Sequence, residues 1–128
     1  MVTRPRVLLA DDHPSIAKAL ARMLSMECDV VGIVGDGRDV ADAAARLQPV
    51  VTVLDINLPH VSGLDICREI TRNDPHAKVI VITGMIDDSI RAEAFAAGAA
   101  GFLHKLETDE LTVAVKRAWQ ESPSDEVS

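Results

Sequence analysis

Short aliphatic runs return at intervals along the chain: Val7 to Ala10, Val30 to Val34, Val50 to Leu54, Val79 to Ile82 and Gly101 to Leu103. Their length and β-branched content predict strands. Because the runs are nearly continuous and do not alternate with polar residues, they predict strands covered on both faces, as in a parallel sheet. The segments between them carry apolar residues at helical spacing instead: Ile16, Leu20, Met23 and Leu24, then Val40, Ala43, Ala44 and Leu47, then Leu64, Cys67 and Ile70. An Ala-rich helix is predicted from about Asp88 to Ala97, with Gly98 as its stop. A last helix carries Leu111, Ala114, Val115, Ala118 and Trp119 on one side. Strand and helix thus alternate through five units, and right-handed crossovers turn that alternation into an open, doubly wound parallel sheet with helices on both faces.

In such a sheet, ligands bind beyond the carboxyl ends of the strands. In the strand order 2-1-3-4-5 the second strand is an edge and the other four ends meet. Those four ends are polar: Asp11-Asp12 after the first, Asp55 after the third, Thr83-Gly84 after the fourth, His104-Lys105 after the fifth. The second ends in the plain turn Gly35-Asp36-Gly37. Three carboxylates gathered in one place repel each other unless a cation compensates or some are protonated. Magnesium, which takes carboxylate oxygens, waters and phosphate oxygens, suits this set; zinc would want Cys or His at ligand spacing, which His13, His60, His76 and His104 do not show. An aspartate can also carry a phosphoryl group covalently. Asp55 stands alone at a central strand end and is the candidate nucleophile, Asp11 and Asp12 are candidate metal ligands, and Lys105 and Thr83 are placed to meet phosphoryl oxygens.

The chain of 128 residues is of a size for one compact core, with residues 1–120 as the domain and the polar stretch 121–128 as a tail or the start of a linker. Thirteen Lys and Arg against twenty Asp and Glu give a net charge of -7, which argues against direct contact with nucleic acid and against anionic membrane surfaces. Cys28 and Cys67 lack metal or redox spacing and read as free thiols of a reducing compartment. With no signal segment and no apolar run of membrane-spanning length, a cytoplasmic protein is expected.

Taken together, Asp11-Asp12, Asp55, Thr83 and Lys105 at successive strand ends resemble the receiver domain of bacterial two-component response regulators, over about Arg4 to Gln120. The run Asp55-Ile56-Asn57-Leu58-Pro59 followed by Gly63 resembles the loop that follows the family's phosphorylated strand. Asp11-Asp12-His13-Pro14 and Gly101-Phe102-Leu103-His104-Lys105 are similar to the branch whose receivers often precede a helix-turn-helix output domain. The resemblance implies that Asp55 is the phosphoacceptor and that Mg2+ is bound by Asp11, Asp12, Asp55 and the backbone carbonyl of Asn57. It implies further that Thr83 and Lys105 hold the phosphoryl group, and that Thr83 and Phe102 form the switch. The partners implied are a histidine kinase or phosphotransfer protein and an output domain or partner protein, with transcription as the output. The expected chemistry is self-phosphorylation and self-dephosphorylation only, so the chain is a phosphoacceptor switch and not an enzyme.

Two features stand apart from that pattern. Leu106 follows Lys105 where the family commonly has proline after a cis bond, and a cis bond before a non-proline residue costs about 3 kcal/mol, so the shape of this loop stays open. Phe102 replaces Tyr and leaves ring packing alone for switching.

Each residue has an ordinary explanation when taken singly. Asp12 caps a helix, Thr83 fills a strand, Phe102 packs in a core, and Lys105 is solvated. His13 and His104 read as bystanders, and Trp119 as half-buried packing. Three other functions are weighed against the switch. A flavodoxin-like flavin or nucleotide binder needs a phosphate-cradling loop, which the acidic Asp11-Asp12-His13-Pro14 does not offer. An aspartyl phosphatase presents a second acid where this chain has Asn57. A pure docking module would bind no magnesium. A homodimer through the last helices is compatible with the pattern, though no stripe decides it.

Overall fold

The computed structural model describes residues 4–120, so the stretch 121–128 lies outside the described residues. Five strands and five helices alternate: β1 (Arg6–Ala10), α1 (Pro14–Leu24), β2 (Asp29–Val34), α2 (Gly37–Leu47), β3 (Val51–Asp55), α3 (Gly63–Asn73), β4 (Lys78–Thr83), α4 (Asp88–Ala96), β5 (Gly101–His104) and α5 (Thr108–Gln120). All neighbouring strands pair in parallel, in the order β2-β1-β3-β4-β5.

Side chains of successive strand residues point to opposite faces, and each face has its own apolar layer. Leu8, Ala10, Leu54, Val79, Val81 and Phe102 pack with Val40, Ala43, Ile66, Cys67 and Ile70 of α2 and α3 and with Ala94 of α4. Val7, Leu9, Val51, Val53, Ile80 and Ile82 pack on the other face with Ala17, Leu20 and Leu24 of α1 and Leu111, Val115 and Ala118 of α5. Each fully buried Leu or Ile is worth about 1.5–3 kcal/mol relative to exposure, so the two stripes of a strand fix its register against a one-residue slip. The expectation of strands covered on both faces holds for β1, β3 and β4; β2, at the edge, is only part-buried. Trp119 is half-buried against the α1/α5 layer.

Local sequence sets the helix ends. Asp36, Ser62 and Asp87 cap α2, α3 and α4 by accepting from the backbone N–H of Arg38, Leu64 and Ser89. Gly98, at φ +103°, follows α4 in the left-handed region that ends helices. A Cβ there would sit 2.7 Å from Thr71 Oγ1.

Candidate functional site

The loop connections gather the carboxyl ends of β1, β3, β4 and β5 into one acidic pocket. Backbone hydrogen bonds extend the sheet beyond the strands: Ile56 N–H donates to Ile82 O at 3.0 Å, Lys105 N–H to Thr83 O at 2.8 Å, and Asp11 N–H to Val34 O at 3.0 Å. Asp11 and Asp55 are held there almost without solvent, 2% and 1% exposed. Two carboxylates buried this deeply need a counter-charge. Lys105 supplies it, its Nζ donating to Asp55 Oδ2 at 2.8 Å and lying 3.2 Å from Asp11 Oδ2. Burial is the largest influence on the Lys105 ammonium and pushes its pKa down, but hydrogen bonding and attraction from Asp55, then from Asp11, together hold it above the ordinary lysine value.

Asp12 lies beside this pair on the same turn. One ligand atom each from Asp11, Asp12, His13 and Asp55 falls within 4.8 Å of the others. Asp11 Oδ2 and Asp12 Oδ1 are buried yet accept no hydrogen bond. Lys105 and His13 lie within ion-pair distance of them but out of line for a bond. Buried carboxylate oxygens left this way are costly unless something positive meets them. Closely spaced, hard oxygen donors with spare lone pairs fit a divalent cation such as magnesium. The Asn57 N–H donates to Asp55 Oδ1 at 2.9 Å, which ties to the pocket the loop that carries the Asn57 carbonyl.

Gly63 makes that loop close tightly. Its N–H donates to Ile56 O at 3.0 Å, and a Cβ at this position would stand 2.6 Å from Ile56 Cα. Only a residue without a side chain lets α3 begin against the backbone that follows Asp55.

The predicted site residues therefore fall in two groups. Asp11, Asp12, Asp55 and Lys105 come together, with Asn57 on the adjoining loop. Thr83 is buried at the end of β4, but its hydroxyl donates to Met85 O and accepts from Met85 N–H, both at 3.2 Å. Phe102 is buried on β5, and the Arg91 guanidinium of α4 lies 5.9 Å from its ring centroid and 5.7 Å from that of Phe95. A cation over two rings links α4 to β5.

Two simple readings need correction. Asp12 does not cap α1: the N-cap is His13, which makes no side-chain cap bond, with Pro14 next in the first turn. His13 is no bystander either. Its N–H donates to Asp11 Oδ1 at 2.9 Å, and this turn folds the ring back so that Nδ1 lies 3.1 Å from Lys105 Nζ and 3.2 Å from both Asp11 Oδ1 and Asp12 Oδ1. A search for ligands at helical or hairpin spacing passes over it. The legible signal was an Asp two residues before a histidine at a helix start, where an Asx-type turn reverses the chain. His104, by contrast, braces the loop after β5, with Nε2 3.1 Å from Gly84 O and Nδ1 accepting from Leu106 N–H at 3.0 Å. No cis peptide occurs among the described residues, so the Lys105–Leu106 bond is trans.

Comparison with known proteins identifies the family of this fold. The family model described as response regulator receiver domain matches residues 7–116. The DNA-binding transcriptional activator DevR/DosR of Mycobacterium tuberculosis is 33% identical over 115 residues, which cover 87% of this chain and 52% of the relative. Response regulator GacA of Pseudomonas aeruginosa is 32% identical over 117 residues, covering 89% of this chain and 55% of GacA. The chain thus spans about half the length of the curated relatives it matches. Among solved structures, a two-component response regulator of the LuxR family from Aurantimonas sp. SI85-9A1 superposes with a TM-score of 0.87 at 26% identity, covering 94% of this chain and 91% of that one. No described helix is long and apolar enough to cross a membrane.

Proposed function

The chain belongs to the response regulator receiver domain family of two-component signalling, and from that premise we propose that it is a phosphorylation switch in which Asp55 accepts a phosphoryl group from a partner histidine kinase or phosphotransfer protein. The observation that carries this reading is the convergence of Asp11, Asp12, Asp55 and Lys105 from three strand ends into one buried, charge-unbalanced pocket. An Asp55 carboxylate oxygen forms a bond to phosphorus as the bond from phosphorus to the donor's nitrogen or oxygen breaks. Lys105 is already bonded to Asp55 and stays to pair with a phosphoryl oxygen. The Thr83 hydroxyl leaves Met85 to meet another oxygen, and the loop of β4 follows it. Asp11, Asp12, Asp55 and the Asn57 carbonyl would hold Mg2+, which when bound neutralises charge on the phosphoryl oxygens.

Movement of Thr83 alters the space beside Phe102, and the Arg91–Phe102 contact hands that change to α4. A partner then reads the face formed by α4, β5 and α5. DevR/DosR is a DNA-binding transcriptional activator, which supports a transcriptional output for the protein to which this domain contributes. Release of the phosphoryl group to water is the only turnover proposed, because the position two residues after Asp55 is Asn57 and offers no second acid.

Incubation with an acyl phosphate and Mg2+ is expected to raise the intact mass by one phosphoryl group, read by mass spectrometry. Chelation, or Asp55→Asn, should abolish the gain. Uptake that persists in the Asn variant would place the acceptor elsewhere.

A further inference from the structure

We propose that His13 is itself a cation ligand and gives the acidic pocket a preference for a transition ion with nitrogen affinity, such as Co2+, over Mg2+. The inference rests on the cation-binding reading of Asp11 and Asp12 and adds to it the identity of the metal class. It begins with the place of the His13 ring, whose Nδ1 stands among the ligand atoms of Asp11, Asp12 and Asp55. Lys105 Nζ lies 3.1 Å from His13 Nδ1, and an ammonium group has hydrogens to give but no lone pair. In the tautomer with the ring proton on Nε2, Nδ1 accepts from Lys105 and turns its lone pair into the pocket, as a ligand to a cation would.

That lone pair points where the carboxylates point. Nδ1 is 3.2 Å from Asp11 Oδ1 and 3.2 Å from Asp12 Oδ1, and in that tautomer these are contacts between electron-rich atoms. Asp11 is 2% exposed, and its Oδ2 accepts no hydrogen bond. A cation among these atoms relieves the repulsion and satisfies the orphaned oxygen. The pocket already treats them as one donor set, because the single charge of Lys105 touches Asp55, Asp11 and His13 together.

The spacing fits as well. An octahedral ion with ligands at about 2.1 Å separates neighbouring donors by about 3 Å and opposite donors by about 4.2 Å. The ligand atoms of Asp11, Asp12, His13 and Asp55 span at most 4.8 Å, so a small inward movement closes them on an ion. Oxygen donors alone discriminate weakly among hard divalent ions, whereas an imidazole nitrogen binds late first-row ions far better than Mg2+. His13 side chain is 56% exposed and makes no capping bond, so replacing it leaves the start of α1 intact.

Calorimetric titration of the untagged chain with Co2+ and with Mg2+ tests the idea. Wild type is expected to bind Co2+ at least about tenfold more tightly than Mg2+, and His13→Ala to lose at least about tenfold in Co2+ affinity while Mg2+ affinity stays within about twofold. The visible absorption of bound Co2+ should shift when the nitrogen ligand is lost. Asp11→Asn should remove both ions, which locates them in this pocket. His13→Gln keeps a polar side chain but offers a hard amide oxygen, and should lose the Co2+ preference in the same way. An unchanged Co2+ to Mg2+ ratio in both His13 variants overturns the inference while leaving the cation site standing. A wild type that binds neither ion and whose Asp55 phosphorylation is indifferent to Mg2+ overturns both, whereas phosphorylation that needs Mg2+ beside an unchanged ion ratio overturns the role of His13 alone.

Discussion

Among the described residues Lys105 is the one positive charge bonded to two nearly dry carboxylates, and its removal exposes what the other side chains cost. Without it, Asp11 and Asp55 face each other in a site that excludes water, and breaking a buried pair on one side destabilises by about 3 kcal/mol. Lys105→Met, similar in length and apolar, should lower the unfolding free energy read from urea titration by that amount in metal-free buffer at neutral pH. The same change removes a cation that competes for Asp11, so added Mg2+ should stabilise the variant more than wild type. At a free concentration one hundred times the dissociation constant, binding alone returns about 2.7 kcal/mol. A variant whose loss is the same with and without Mg2+ would show that Lys105 and the ion do not share these ligands. The acidic residues and Lys105 were legible in sequence because they sit where strands stop. His13 was passed over, because ligand spacing does not register a turn closed by the Asp11 carboxylate, and Thr83 was read by its residue type, which does not reveal that its hydroxyl turns to Met85.

At the scale of elements, the connections that follow strands decide how well the site is held. The start of α3 lies directly on Asp55 and Ile56, and a Cβ on Gly63 would meet Asp55 O at 2.8 Å as well as the backbone of Ile56. Backbone cannot step aside as a flexible side chain can, so Gly63→Ala should cost about 1–3 kcal/mol and move the Asn57 loop. The expected result is a lower thermal midpoint together with weaker Mg2+ binding; full Mg2+ affinity would mean that the loop is positioned by something other than this contact. The start of α2 is held by charge instead. Asp36 accepts from the side chain and backbone N–H of Arg38, and these bonds lower its carboxyl pKa to about 2. Its contribution to stability is therefore present above the ordinary carboxylate value of 3.8 and is lost as pH falls through about 2. Following the Arg38 amide by NMR should show the cap persisting to that low pH, and Asp36→Asn should remove the transition. The helices and strands themselves were readable from apolar spacing, since each stripe faces one layer. The helix caps Ser62 and Asp87 were not singled out, because Ser and Asp are as common in loops as at caps and only backbone geometry tells them apart.

The whole molecule is two apolar layers that share one sheet, and this arrangement ties the pocket to everything else. Neither layer can be removed without stripping one face of β1, β3 and β4, whose ends carry Asp11, Asp55 and Thr83. Cooperative unfolding is the consequence, because a half-covered parallel sheet exposes a continuous apolar face. The chain carries a probe in each layer: Cys67 of α3 among the α2/α3 residues, and Cys28 among the α1/α5 residues, both fully buried. Burial raises the pKa of both thiols, that of Cys67 to about 11, so neither is a ready nucleophile in the folded state at neutral pH. A thiol held above its ordinary value of 9.0 contributes its stability fully below that pH and loses it as pH climbs through about 11. At pH 8, labelling of either cysteine must wait for the protein to open. With a fast thiol reagent across a urea series, Cys28 and Cys67 should therefore gain reactivity at the same midpoint and with the same slope, as peptide mapping by mass spectrometry would read. Adding Mg2+ should shift both midpoints upward together, since an ion in the pocket stabilises the strands that both layers require. A Cys28 that labels at lower urea than Cys67, or that ignores the ion, would mean that the α1/α5 layer opens alone and that the sheet does not couple the two faces.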